Sequence, residues 1–392
     1  MKRLVVLFLV LAVGSMSYSQ LAKKDKMPVT TSSKEALASY NEAFRYFEDV
    51  DLPKGTELLQ KALTEDPDFF MANYYMALMS MTNEEKFKSY GNAAVNCKAK
   101  LSEAEKLIKS TMVALLEKKD ADVTETGEKI VEMYPKDIYA YWVLLNLQDI
   151  AGDTNGYHST LLKALEITPN PAPVYNMLGY SYMRLNQNDK AEEAFDKYIQ
   201  LAPDNPNVYD SKGDFYMNIK EYEKAYDAYM KSNSLNPAWG LSKAKKAKHL
   251  YEVEEPARIA VTALLDKFNS AFKAKDPGTL ASILADNGIY CGTDPSEIWN
   301  KKQTVAGFEQ GLGDPALVID YTIDKRKILI AEDGESAIAV EQAFYKFVSP
   351  GIPWRMIYHA VKTGDAWKFD FISWNFIPRN EDIGKINKAV GQ

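Results

Sequence analysis

Only three side chains in 392 residues are ready to exchange protons near neutral pH: His158, His249 and His359. His359 alone stands among groups with which it could do chemistry. Arg355, Phe371, Ser373 and Asn375 share its stretch of sequence, and Tyr290, Trp299, Glu341 and Tyr345 are candidate neighbours across a sheet. A histidine beside a carboxylate in an apolar pocket is a competent general base, and an arginine there can stabilise an enolate. Asp294 precedes Pro295, a turn signal that suits a loop cap better than a base. Cys97 and Cys291 are far apart with no CxxC, and the histidines are too scattered for a zinc site, so neither a metal nor a cofactor is implied. There is no nucleophile elbow, phosphate-cradling glycine loop, HExxH or deaminase motif, which weighs against common hydrolases and nucleotide enzymes.

The rest of the chain must position those residues. At 46% hydrophobic and 26% charged, the composition is that of a folded protein, and the length predicts two or three units. A formal charge of −7 offers no basic field for a phosphate backbone, so nucleic acid is not an expected partner. The first residues carry an address: Lys2 and Arg3, an apolar run from Leu4 to Val13, then Ser17-Tyr18-Ser19-Gln20. That is a signal-peptide pattern, and the run is shorter than the roughly 20 residues a membrane-spanning helix needs. Cleavage after Ser19 predicts an exported protein, periplasmic or extracellular, that starts at Gln20, carries −9 and has no membrane span. Residues 20–35 are expected to be a flexible segment.

Proline recurs at Pro135, Pro169, Pro203 and Pro237 in steps of 34 residues, with Pro67 in the same register. One unit reads Tyr175, Leu178, Gly179, Tyr182, Ala191, Phe195, Pro203; the next repeats Tyr209, Gly213, Tyr216, Ala225, Tyr229, Pro237. These spacings resemble the tetratricopeptide repeat, two antiparallel helices in which glycine and alanine permit close approach. Units starting at Ala36, Phe70, Ala104, Ile138, Ala172 and Pro206 give six repeats, the second and third degenerate, in an array over 36–250. Its last helix, 238–250, is rich in lysine and is expected to cap the array. Helix A of each repeat lines the concave wall of such a superhelix. Tyr40, Phe44, Tyr74, Trp142, Asn146, Asn176, Tyr180, Arg184, Asp210 and Asp214 are the groove candidates. With no lysine on that wall, a clamp for a peptide carboxylate is disfavoured; an amphipathic helix or extended apolar peptide suits it better. Alternatively, another part of the same chain fills the wall's N-terminal half.

Past Pro256 the pattern changes. Helices are expected over 257–275, 277–284 and 300–309, and strands over 288–292, 317–330, 337–348, 354–363 and 367–377, a period of two replacing 3.6. The segments Phe268-Asn269-Ser270-Ala271-Phe272, Gly292 to Trp299, Pro353-Trp354-Arg355, and Trp367-Lys368-Phe369 leading to Ser373-Trp374-Asn375-Phe376 resemble the SnoaL-like and ketosteroid-isomerase-like superfamily, also called nuclear transport factor two-like. The fold class is therefore multidomain: an all-α repeat superhelix followed, over 256–380, by an α+β cone in which a curved antiparallel sheet wraps helices, with a tail at 381–392. The resemblance implies a pocket that some members use for isomerase or cyclase chemistry and others for binding alone, and its trio of catalytic groups has no assignable counterpart here.

A three-residue loop at Gly364-Asp365-Ala366 would set Lys362 opposite Lys368 and turn Arg355, His359, Phe371, Ser373 and Asn375 into the cone; a two-residue turn or a bulge would substitute Trp354, Met356 and Tyr358. Two functions are in view. The first is an exported adaptor whose array binds a protein or peptide, with the cone adding a docking surface, a pocket for a small apolar or anionic ligand, or a homodimer contact through its sheet. The second is a small-molecule enzyme with its site in the cone. A purely structural envelope protein is a weaker third.

Overall fold

A computed structural model of the protein describes residues 26–118, 123–346 and 352–378, with positions 380, 383, 385 and 388. The signal-peptide pattern of residues 1–19 and most of the 381–392 tail lie outside the described residues. The chain divides into two compact units: one runs to Glu221 and includes Asp227–Leu241, and the other comprises Tyr222–Tyr226 and Ser242 onward.

The first unit is built of helix pairs: α1 (Lys34–Glu48) with α2 (Leu52–Glu65), α3 (Phe70–Met79) with α4 (Glu84–Val95), α5 (Glu103–Leu116) with α6 (Val123–Met133), α7 (Ile138–Ala151) with α8 (Thr154–Ile167), α9 (Ala172–Arg184) with α10 (Asn188–Leu201), and α11 (Pro206–Asn218) with α12 (Tyr222–Leu235). Side-chain caps set many of the starts, among them Ser33, Asp51, Asn83, Ser102, Asp137 and Asn205, each accepting from a backbone N–H of the first turn. The two glycines of the repeat skeleton do what their spacing predicts. A Cβ on Gly179 would sit 2.5 Å from the Phe195 ring, and one on Gly213 2.5 Å from Tyr229. The degenerate second and third repeats are helix pairs as well.

Residues 26–33 are not loose. They run extended ahead of α1, where the sequence predicts a flexible segment, and three carboxylates hold them. The Met27 N–H donates to Asp137 (2.6 Å), the Thr30 N–H and hydroxyl to the two oxygens of fully buried Glu105 (2.7 and 2.6 Å), and the Thr31 hydroxyl to Asp66 (2.6 Å). The Met27 side chain is buried in the core of the first repeats.

In the second unit α13 (Leu241–His249) passes through a π-helical turn, Leu250–Glu254, into α14 (Glu255–Lys273). The sequence places a boundary near residue 252, and the lysine-rich helix was expected to close the array; instead the helical backbone continues and α13 from Ser242 belongs with the second unit. Pro256 falls in the first turn of α14, where its missing N–H costs little, and the wider π turn before it relieves the ring's clash with the preceding carbonyls. Then come α15 (Pro277–Ser282), β1 (Leu284–Cys291), β2 (Ile298–Trp299), α16 (Lys301–Leu312), β3 (Tyr321–Ile330), β4 (Ser336–Tyr345), β5 (Trp354–Thr363) and β6 (Ala366–Phe376). The open, curved sheet has the order β2-β1-β6-β5-β4-β3 and is antiparallel except that β1 and β6 pair in parallel. The face carrying Ala339, Met356, Tyr358, Phe369 and Ile372 packs in one core with Val261, Leu265 and Phe268 of α14.

Next to the turn the register of β5 and β6 corrects the expected one, and beyond the bulge the expected pairs His359–Phe371 and Arg355–Asn375 are present. Thr363 pairs with Ala366 and Lys362 with Trp367, so the turn is the two residues Gly364-Asp365, with Gly364 at φ 62°, a left-handed value that glycine tolerates. A bulge between the pairs His359–Phe371 and Ala360–Phe369 then changes the facing of β6 along its length. Trp354, Met356, Tyr358 and Ala360 are buried within the unit, while Arg355, Ile357, His359 and Val361 occupy the other face.

Candidate functional site

The concave wall of the array changes character along its length. In the N-terminal half it is aromatic and closed on itself. Tyr40 packs on Phe69 with ring centroids 5.0 Å apart, Phe44 meets Tyr75 at 4.8 Å, and Phe44 reaches across to Tyr139 of α7 at 5.3 Å. The C-terminal half is polar: Tyr180 donates to Asp214 (2.9 Å), Tyr229 donates to the other oxygen of that carboxylate (2.7 Å), and Arg184 pairs with Asp149 (3.0 Å).

A cavity of about 380 Å³ lies where the halves meet. Phe44 and Phe47 of α1, Tyr75 of α3, Trp142 of α7 and Tyr157 of α8 supply its rings; Leu52, Met79, Leu145, Pro173 and Met177 supply its aliphatic surface; Glu48, Asn146 and Asp149 are its polar groups. The α1–α2 turn borders it and is tied to distant turns of the same unit. Asn170 donates to the Glu48 carboxylate (3.0 Å) and Asn205 to the Asp49 carbonyl (3.3 Å). Burial beside Asp149 pushes the Tyr157 hydroxyl up to about 12, with Arg184 opposing, so it stays protonated and can donate to a ligand. The cavity's size, apolar walls and few convergent polar groups are those of a binding pocket.

The second unit holds a buried polar network. Glu341, fully buried on β4, accepts from Arg326 Nε (2.6 Å), from Asn269 of α14 (3.1 Å) and from Tyr358 (3.2 Å). Tyr321 in turn donates to Asn269 (2.7 Å), and Arg326 leads outward to Asp266 (2.7 Å). Burial first, and then the charge of Glu341, drive the Tyr358 and Tyr321 hydroxyls far above their ordinary value. Around this network the rings touch one another: Phe268 contacts Phe272, Tyr358, Phe369 and Trp374, and Phe272 contacts Tyr321 and Tyr345. The lone pairs of Glu341 are taken, and it acts as a brace between helix and sheet.

Sequence comparison places two familiar units on this geometry. The model of the tetratricopeptide repeat matches residues 172–205 and 206–238, the fifth and sixth pairs, and the model of the SnoaL-like domain matches 261–372. The chain carries tetratricopeptide repeats and a SnoaL-like domain. No curated protein matches it. Similar solved structures include an NTF2-like protein from Cytophaga hutchinsonii (15% identity, 31% of this chain and 98% of that one, TM-score 0.27), an NTF2-like protein from Pseudomonas putida (15%, 31% and 87%, 0.27) and a cystatin-like fold from Nostoc punctiforme (10%, 35% and 87%, 0.30).

Of the groove candidates in the tetratricopeptide array, Phe44, Trp142 and Asn146 line the cavity, and Arg184 reaches it through Asp149 and the Tyr157 ring, 5.7 Å from its guanidinium. Tyr180 and Asp214 bond to each other further along the wall. Asn176 and Asp210 are buried, and Tyr40 and Tyr74 belong to the core. On α3 it is Tyr75 that faces the cavity. That helix is apolar all round, so its sequence carries no stripe to fix its facing. Leu52 and Tyr157 come from second helices of pairs, outside the positions that a helix-A reading searches.

In the SnoaL-like domain, Glu341 and Tyr345 are buried inside, and Tyr290 is buried with its hydroxyl bridging the Ala285 and Phe369 carbonyls (3.0 and 2.8 Å). Trp299 is half-buried on edge strand β2. Arg355, His359, Phe371, Ser373 and Asn375 pair with one another as expected but lie on the opposite face, because the face of β5 that packs on α14 is that of Met356, Tyr358 and Ala360, which corrects their expected place in the cone. His359 there shares a hydrogen bond with Asp370 (2.7 Å), both partly exposed, and Asn375 donates to Ser373 (3.1 Å). Tyr358 belongs to the alternative set for a two-residue turn or a bulge, while Asn269, Arg326 and Tyr321 were not foreseen. Asn269 lies within a segment that carries the family resemblance, but nothing local marks it as a partner of Glu341. Cys97 and Cys291 are both free. Among the described residues no cluster of histidine, cysteine, aspartate or glutamate could hold a metal ion, and no helix is long and apolar enough to cross a membrane.

Proposed function

We propose that the protein is an exported adaptor whose tetratricopeptide array captures a segment of a partner protein in the cavity between α1, α3, α7, α8 and α9. The observation that supports this most is the cavity itself: five aromatic rings from four helices surround about 380 Å³ that the chain leaves unfilled. The SnoaL-like domain serves as a docking module. Its interior carboxylate is engaged by its own chain, whereas the sheet's outer face carries the row Leu329, Ile338, His359, Phe371, Ile289 across five strands, with Leu329, Ile338 and Ile289 57%, 47% and 54% exposed. A second copy packed on that face would bury the row. Export rests on the signal-peptide pattern, and amino-terminal sequencing of the secreted form should start at Gln20.

A photoreactive residue in place of Trp142 should give a partner adduct that the same residue in place of exposed Glu57 on α2 does not. Equal adducts from both positions would remove the cavity from the reading. For the second copy, Ile338→Glu should shift a sedimentation profile from dimer to monomer; a monomeric parent protein would overturn that part alone.

A further inference from the structure

The cavity's charge narrows its occupant. Two carboxylates, Glu48 and Asp149, stand among its lining side chains, with no lysine or arginine. Asp149 is balanced by Arg184, whereas Glu48 accepts a hydrogen bond from the neutral amide of Asn170. Glu48 also opens an acidic turn, with Asp49 and Asp51 following it between α1 and α2. Further along the array Lys212 turns away to Glu192 and Asp196 (3.2 and 2.8 Å). An occupant of the cavity meets aromatic and thioether surface at its anchor and negative charge at the rim.

We propose that the array selects a peptide segment in which one bulky apolar side chain, seated among Phe44, Tyr75 and Trp142, is flanked by lysine or arginine held at Glu48. This rests on the cavity being the binding site. The volume accepts a tryptophan- or leucine-sized group, and the lining rings add cation–π attraction to the methylenes and charge of a neighbouring basic side chain. An acidic flank would meet like charge at Glu48 and lose affinity.

Two fluorescein-labelled, end-blocked peptides test it, one with a leucine–tryptophan core flanked by lysines and one with glutamates in their place. With the full chain, fluorescence anisotropy should show the lysine peptide binding about tenfold tighter, a preference of the size that a few partly exposed charge pairs give. Glu48→Gln should cut the ratio to about threefold, and Glu48→Lys should reverse it. Trp142→Ala should weaken both peptides; Met79→Gln, at a lip position 41% exposed, repeats that test without disturbing the core. Equal affinity of the two peptides for the parent protein would overturn the charge selection and leave the cavity as the site. Binding that neither Trp142→Ala nor Met79→Gln affects would instead overturn the site, and failure of both peptides to bind would overturn the selection proposed.

Discussion

The array cavity and the cone interior are both walled by aromatic rings, yet only one is left open. In the SnoaL-like domain a single polypeptide stretch of some hundred residues brings α14 against its sheet, and side chains from both meet until Phe268 touches four other rings. Among the described residues the one carboxylate buried there, Glu341, is neutralised by Arg326 and bonded by Asn269 and Tyr358. In the array the rings of Phe44, Trp142 and Tyr157 sit on stiff helices whose spacing is set by neighbouring repeats, and they cannot all converge. The cavity is a product of repeat geometry, and its carboxylates stay at the rim where a ligand can reach them. Composition therefore does not locate a binding site in this protein; what matters is whether the polar groups are already satisfied.

That contrast can be broken most sharply at Glu341. Glu341→Ala should destabilise the SnoaL-like domain by about 2 to 4 kcal/mol, because it takes the acceptor from the buried donors Asn269 and Tyr358 and leaves Arg326 with Asp266 alone. Denaturant unfolding followed through the domain's tryptophans measures it, and a loss under 1 kcal/mol would show the network to be dispensable. Gly179→Leu comes next, at about 1 to 3 kcal/mol, since the new side chain must displace the Phe195 ring; an unchanged melting temperature would disprove the close approach of α9 and α10. His359→Ala, on the outer face with a partly exposed carboxylate partner, should cost no more than about 1 kcal/mol, and a large loss would return it to the interior.

The smallest effect is a pH dependence. Burial first, and Lys190 second, hold His158 below its ordinary value of about 6.5, where it shares a hydrogen bond with Ser181 (3.0 Å) beside the Tyr182 ring. The unfolded chain then takes up the proton first as pH falls. The array's stability should be whole above about pH 6.5 and decline below it, with a slope that His158→Gln reduces. A slope identical in the variant would assign the dependence to carboxylates alone.

What the sequence revealed follows physical range. Six helix pairs were legible because a 34-residue period writes the same close contacts repeatedly, and the starts at Phe70, Ile138, Ala172 and Pro206 coincide with observed helix starts. The β strands were legible by alternation, and their facing was not: the bulge near Asp370 offsets the shorter Gly364-Asp365 turn, so the expected pairs His359–Phe371 and Arg355–Asn375 form, but on the face turned away from α14. Pairing alone does not say which face a helix will cover. The site was half legible. Phe44, Trp142 and Asn146 follow from helix periodicity, but Glu48, Leu52 and Tyr157 enter through turns and second helices whose position depends on how the repeats curl.

The extended segment ahead of α1 has a consequence in time. Its acceptors lie 35, 75 and 110 residues downstream, at Asp66, Glu105 and Asp137. Helix pairs form from neighbours and need no such wait, whereas each of these bonds closes a longer loop than the last. Synthesis therefore makes Met27 and Thr30 early and gives them their last acceptor only when the fourth repeat has appeared. The end of the array that is made first is the end fastened last, and until then its first core stands without its buried methionine.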